Sequence, residues 1–282
     1  MPRIAEIYRY PVKGLSAEPL QRVAIGVGEV IPFDRAYALE NGPSAFDPNS
    51  PKWTTKNAFL MLMRHERLAQ LRTVFDPATQ TLTIRKAGAT VVEGRLDTDE
   101  GKRAIEAFFT EFSADDLRGP VKILHVPGFS FQDTSTGMVV SVINLASVRE
   151  LGDRIGAYVH PLRFRGNLYI EDLAPWEEYT WLGHAVSIGS MRLVATKRID
   201  RCAAVNVDPV SAARDLNLPR SLMQLYDNID CGIYLKVVEA GEFGVGDEIV
   251  IGETMPLPPH PPTSPTTTPA PAATTSSTVA GL

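Results

Sequence analysis

The stretch Lys197–Pro209, KRIDRCAAVNVDP, sets a single thiol, Cys202, behind the cations Lys197, Arg198 and Arg201 and ahead of an Asp-Pro turn. If the two arginines face the sulfur, they favour the thiolate, the form that binds soft metals or attacks electrophiles. Ala203 and Ala204 leave space around it. The chain has one other cysteine, Cys231, which opens an apolar strand and reads as core filler. With no second cysteine at C-x-x-C spacing and no histidine nearby, Cys202 does not belong to a zinc site. The histidines, 65, 125, 160, 184 and 260, share no metal-ligand spacing.

Basic residues elsewhere could build an anion site. Lys13, in YPVKG, follows a strand where Gly14 lets a ligand approach the backbone. Arg35, in FDRAYAL, stands at the start of a strand with Asp34 as a potential partner. In RFRGN, strand alternation puts Arg163, Arg165 and Asn167 on one face, a fork suited to phosphate or carboxylate. Ser141, in VVSVINLAS, sits where a strand turns into a helix and either caps the junction or touches a ligand. No G-x-S-x-G, Walker A or Rossmann pattern occurs; Gly244-Val245-Gly246 has no helix after it and reads as a tight turn.

The elements that must position these residues are mostly strands. Residues 4–10, 22–25, 34–39, 68–75 and 81–85 are short and bounded by turn formers. TDEGKRAIEAFFTEF repeats its apolar residues at helical spacing with acids in the first turn, an amphipathic helix. After about 130, MVVSVINLASVRELGDRI reads as a strand running into a helix capped by Asn144. HAVSIGSMRLVATKRI reads as a hairpin turning at Ile188-Gly189-Ser190. PVSAARDLNLPRSLMQL reads as helical with a break at Pro219. CGIYLKVV and AGEFGVGDEIVI close the lobe as strands.

The 282 residues, 44% hydrophobic and 22% charged, suit a globular protein with a real core. A net charge of −5 gives no global route to nucleic acid, so any anion site must be local. The opening MPRIAEIYRY is charged where a secretory leader needs an apolar run, and FLMLM is too short to cross a bilayer. No membrane partner is expected, and the reducing cytoplasm is the expected compartment. The expected division is a first β-rich lobe, 1–125, a second, 126–253, and a Pro/Thr/Ala-rich disordered tail, 254–282.

In order and spacing, YPVKG, DRAYAL, RFRGN, KRIDRCAAVNVDP and GEFGVGDEIVI resemble a MOSC-domain protein (the C-terminal domain of molybdenum cofactor sulfurase) with the MOSC N-terminal β-barrel domain. The likeness spans residues 3–252 and points to the branch of the mitochondrial amidoxime-reducing component and its bacterial counterparts. It implies an α+β protein, mainly β, built of two barrel-like lobes. It also implies a molybdenum-pterin cofactor, with Cys202 as metal ligand and catalytic residue. Lys13, Arg35, Arg64, Ser141, Arg163, Arg165 and Asn167 would hold the cofactor. The implied activity is reduction of N-hydroxylated or N-oxygenated small molecules, with electrons from a separate ferredoxin, flavin or cytochrome-type protein. The alternative is a carrier of the cofactor or of persulfide sulfur on Cys202. The resemblance also implies pyridoxal-phosphate binding. Three departures stand out. Gly14-Leu15 replaces Ser-Cys, and Val210-Ser211 replaces Thr-Gly. The usual T-x-R appears as LMR ending at Arg64, with TTK ending at Lys56 as the alternative.

Overall fold

The computed structural model describes residues 1–256, so the expected tail lies outside the described residues from 257 onward. In chain order its elements are β1 (Arg3–Arg9), β2 (Glu18–Leu20), β3 (Arg22–Ile25), β4 (Tyr37–Asn41), β5 (Leu71–Asp76), β6 (Thr81–Lys86), β7 (Ala89–Arg95) and α1 (Asp99–Phe112). There follow β8 (Val121–His125), β9 (Val140–Asn144), α2 (Leu145–Ile155), β10 (Leu168–Glu171), β11 (His184–Ile188) and β12 (Met191–Asp200). The last are α3 (Leu218–Tyr226), β13 (Asp230–Glu239), β14 (Gly241–Gly244) and β15 (Ile249–Thr254). The protein is α+β and mainly β.

The larger sheet has the order β15-β11-β12-β13-β9-β10-β1-β2. It curls until the start of β1 meets the start of β15: Arg3 bridges Glu248, the Ile4 amide donates to Asp247 at 3.0 Å, and the Ile249 amide donates to Pro2 at 2.8 Å. This contact occupies part of the edge that β15 would otherwise present. Ile4, Ile7, Val142, Leu168, Leu193 and Ile233 fill the interior. A register shift between Ile4 and Glu6 lets β1 turn both isoleucines inward although they are three residues apart.

The other lobe is built around α1. Thr98 caps it, its hydroxyl accepting from the Gly101 amide, with Asp99 and Glu100 in the first turn. Ile105 and Phe109 pack against Leu39, Leu71 and Ile84 from the β4–β8 pair and the β5-β6-β7 meander. Chain order and spatial order therefore differ. β1 and β2 lie in the larger sheet, and β3 pairs with β14.

Several local expectations are corrected. RFRGN is not a strand: Pro161–Phe164 form a 3₁₀ turn and Arg165 is left-handed, φ 51°, so β10 begins only at Leu168. The strand expected at 34–39 starts at Tyr37 because Phe33 and Arg35 are left-handed, and the one expected at 68–75 starts at Leu71 after a 3₁₀ turn. Pro219 does not interrupt a helix; it lies in the first turn of α3, where its missing N–H costs nothing. The strands β2, β7 and β8 were not anticipated. Asn144 does cap α2, and β11 and β12 do form a hairpin.

Candidate functional site

Three loops meet between the lobes. The segment after β1 runs beside the one before β4: the Arg35 amide donates to Tyr10 at 2.7 Å, Tyr37 to Pro11 at 3.0 Å and Lys13 to Tyr37 at 2.8 Å. The loop before β9 joins them, the Phe131 amide donating to Arg35 at 2.8 Å and the Ser130 hydroxyl to Asp34 at 2.8 Å. Gly14 is left-handed (φ 84°), and a Cβ there would lie 3.0 Å from the Leu60 carbonyl. It therefore serves the fold of the turn and the packing of Leu60. This knit puts Lys13, Arg35 and Asp133 in one wall.

The second lobe brings Arg165 to the same place. Arg35 and Arg165 are both left-handed, a conformation that disfavours non-glycine residues and is tolerated where the surroundings impose it. Both guanidiniums lie over the Tyr10 ring, at 4.7 Å and 4.3 Å from its centre. Arg35 is held by Asp34 and by the Arg165 carbonyl at 2.9 Å. Arg165 donates from Nη1 to the Leu15 carbonyl at 2.7 Å, and among the described residues its Nε and Nη2 donate to no protein acceptor. Gly166 has no room for a side chain, since a Cβ would come within 2.4 Å of Ile143.

Cys202 lies just past β12. The Arg201 amide makes a last bond across to Ile229, and the chain then leaves the ladder into a 3₁₀ turn in which the Cys202 carbonyl accepts from Val205 at 3.1 Å. The thiol is half-buried and lines a cavity of about 300 Å³. Seven basic side chains and two carboxylates, Asp133 and Asp200, share its lining, with Ser141, Trp53 and Tyr234 among the other residues. An apolar recess of about 190 Å³ adjoins it, sharing Gly14, Leu62, Arg163, Arg165 and Ala204 as walls.

The electrostatics favour an anion. Burial pulls the Lys13 ammonium below its ordinary value, opposed by Asp133, to which it is paired; its Nζ also donates to Phe131 at 2.8 Å. Desolvation by the surrounding wall pushes the Asp133 carboxyl up, although about half of the side chain stays exposed, and Lys13, with Lys56 and Arg35 beyond it, holds it below the ordinary range. Burial, with the like charge of Arg35, lowers Arg165. Burial works against the Lys56 ammonium too, and its interactions with Cys202, Asp133 and Asp200 outweigh that and raise it. Crowded cations in a low-dielectric wall are stabilised by a bound anion.

The expected residues divide. Lys13, Arg35, Ser141, Arg163, Arg165, Asn167 and Cys202 all line the cavity. Arg163 and Arg165 do not form one fork, because the turn between them sends the side chains apart. Arg163, 2% exposed, is bound to Asp208 at 2.9 Å and Asp215 at 2.7 Å and donates to the Asn206 carbonyl. It ties down the loop that follows Cys202. Asn167 and Ser141 are engaged with each other, the serine hydroxyl donating to Oδ1 at 2.8 Å, while Nδ2 donates to Tyr8. Ser141 thus caps nothing; the pair locks β9 to β10. Arg64 is exposed and off the cavity, and Lys56 lines it instead.

Of the cations upstream of the thiol, Arg198 turns away onto Tyr179, 4.2 Å from the ring centre. Arg201 donates to the Cys231 carbonyl at 2.8 Å and the Phe164 carbonyl at 2.9 Å. Lys197 lines the cavity but pairs with Asp200 at 3.6 Å, and Lys56, from the other lobe, interacts with Cys202. Asp133, Trp53 and Tyr234 were not anticipated. Asp133 is distant in sequence from every residue it serves, and no local pattern marks it.

Fold and cavity together define a two-lobed β protein with a basic cleft ending in a thiol. Residues 1–121 match the MOSC N-terminal beta barrel domain and residues 132–250 the MOSC domain. The chain belongs to the MOSC-domain proteins that carry this N-terminal domain. Among solved structures, the YUAD protein of Bacillus subtilis matches at 12% identity over 88% of this chain and 94% of that one, with a TM-score of 0.39. YiiM from Geobacillus stearothermophilus matches at 18% identity over 40% of this chain, with a TM-score of 0.33. The match spans about half of that protein, 54% of its length. No curated protein matches the sequence. Among the described residues, no helix is long and apolar enough to cross a membrane.

Proposed function

We propose that the protein is a molybdenum-cofactor-dependent oxidoreductase that removes oxygen from N-hydroxylated or other N-oxygenated small molecules. One observation carries the reading: Cys202 shares a cavity with Lys13, Arg35, Lys56 and Arg165, drawn from both lobes. The residues fit the group. A volume of about 300 Å³ is at the lower end for a small-molecule site. The uncommitted Nε and Nη2 of Arg165 suit a phosphate, as guanidinium donors do. Among the described residues no three His, Cys, Asp or Glu side chains gather as a metal site. The protein's ligand would then be Cys202, with the rest supplied by the cofactor's dithiolene.

When bound, the group supplies two-electron redox chemistry. The chain's own residues do the remainder: Lys13, Arg35 and Arg165 hold and orient an anion, and Lys56 places an ammonium beside the Cys202 sulfur. The adjoining recess, walled by Leu15, Leu68, Leu71 and Val207, gives an apolar part of the substrate a place out of water. In this reading the electrons come from a separate protein donor of ferredoxin, flavin or cytochrome type. Protein from a cofactor-competent host should reduce an N-hydroxylated substrate with an artificial electron donor, and Cys202→Ser should not. If sulfane sulfur is found on Cys202 with no turnover, the protein is a carrier.

A further inference from the structure

The stretch around Ala212-Ala213-Arg214 was expected to be helical. It is instead a loop folded back on itself, with Ala212 left-handed at φ 61° and Arg214 bridging Val207. That return carries Arg214 into the gap between the lobes. Its Nη2 donates to the Leu62 carbonyl at 2.8 Å and the Met63 carbonyl at 2.8 Å. Its Nη1 donates to the Ala203 carbonyl at 3.1 Å and its Nε to Glu66 at 3.1 Å. Leu62 and Met63 are cavity wall from the first lobe, and Ala203 follows Cys202 directly. One guanidinium thus spans from the thiol's own turn to the facing wall.

We propose that Arg214 is the positioning residue for Cys202: it sets the gap between the thiol's turn and the 61–63 wall, and so the access of small molecules to the sulfur. The inference deepens the reading of Cys202 as the working thiol and rests on it. The planar, pre-organised fork of arginine suits acceptors on both sides of a gap, whereas an ammonium on a flexible stem cannot reach them all in fixed geometry. The loop does not depend on Arg214 to stay folded. Arg163 anchors its base to Asp208 and Asp215, and Arg72 binds the Pro209 carbonyl at 2.7 Å from the first lobe. Removing Arg214 should therefore loosen the gap and leave the fold in place.

The test is the rate at which iodoacetamide alkylates Cys202 in the full chain purified from a host lacking the cofactor. Arg214→Met should raise the rate about tenfold, as loss of several bonds to a charged group permits. Arg214→Lys should fall between. Arg72→Met, which breaks a bridge away from the thiol, should leave the rate unchanged, and Cys231 should stay unlabelled in every variant. A change under about twofold in Arg214→Met, an equal rise in Arg72→Met, or Cys231 labelling that rises in step would overturn the proposal. No activity is read, so a protein that never takes up molybdenum would sink the proposed function and leave this result standing.

Discussion

Cys202 and Cys231 sit near the paired ends of neighbouring strands, β12 and β13, and their surroundings could hardly differ more. Cys231 remains in the ladder, fully buried beside Ile143, Tyr169 and Leu218. Burial pushes its thiol up to about 12, with Arg201 only partly opposing. Cys202 comes just after the ladder ends, where its own carbonyl accepts from Val205 within the following turn and its side chain faces a basic cavity. A strand that continues makes its cysteine a small hydrophobe, and one that stops makes it available for chemistry.

The sharpest way to break this contrast is to exchange the roles. Cys202→Ser should lower turnover of N-hydroxylated substrates by more than about 100-fold, beyond what loss of an outer-sphere partner costs a metal site. Cys231→Ser should keep activity and destabilise the protein by about 1–3 kcal/mol, the cost of a buried hydroxyl without a good partner, measured by urea denaturation. If the variants behave the other way round, the working thiol is misassigned.

The same logic separates Arg163 from Arg165, two residues apart. Arg163→Ala leaves Asp208 and Asp215 without their shared cation and should cost about 3 kcal/mol in denaturant unfolding, towards the lower end for broken buried pairs because Asp215 is half exposed. Arg165→Ala should lower pterin retention, read by fluorescence of the released pterin, with a smaller loss of stability; Arg165→Lys should restore it in part. Full pterin retention in Arg165→Ala would contradict its role.

The ladder contrast is legible in sequence only in part. The alternation of CGIYLKVV announces a buried strand, and AAVNVDP announces an exit from one. What the sequence could not convey is where the cations go. Arg198 and Arg201 lie four residues and one residue before Cys202 in the chain, yet stacking on Tyr179 and bonding to carbonyls engage them elsewhere, and Lys56 arrives from the other lobe. Arg163 and Arg165 share a face only if RFRGN is a strand, and a left-handed Arg165 cancels that alternation. Such conformations depend on tertiary contacts, here Tyr10 and the Leu15 carbonyl. Helices α1 and α2, with strong periodicity and side-chain caps, were readable locally. β7, exposed along most of its length, had no such pattern.

Two smaller effects sharpen the account. At pH 9, brief iodoacetamide treatment of the folded, cofactor-free chain should add one group, on Cys202, because the Cys231 thiol lies near 12 and is sealed from solvent. Peptide mass spectrometry would show it. Asp133 carries a folded value below its ordinary 3.8. Its stabilising effect is therefore fully present above that value and is lost as pH falls through the lower folded value. Asp133→Asn should flatten this acid limb of the stability profile, followed by circular dichroism; an unchanged limb would place the acid sensitivity elsewhere.

The central claim is that the basic cleft ending at Cys202 holds a molybdenum-pterin cofactor. Elemental analysis of the wild-type protein, purified from a host that makes the cofactor, tests it most directly. Stoichiometric molybdenum accompanied by pterin is the predicted result. Folded protein with Cys202 intact and no molybdenum would contradict it.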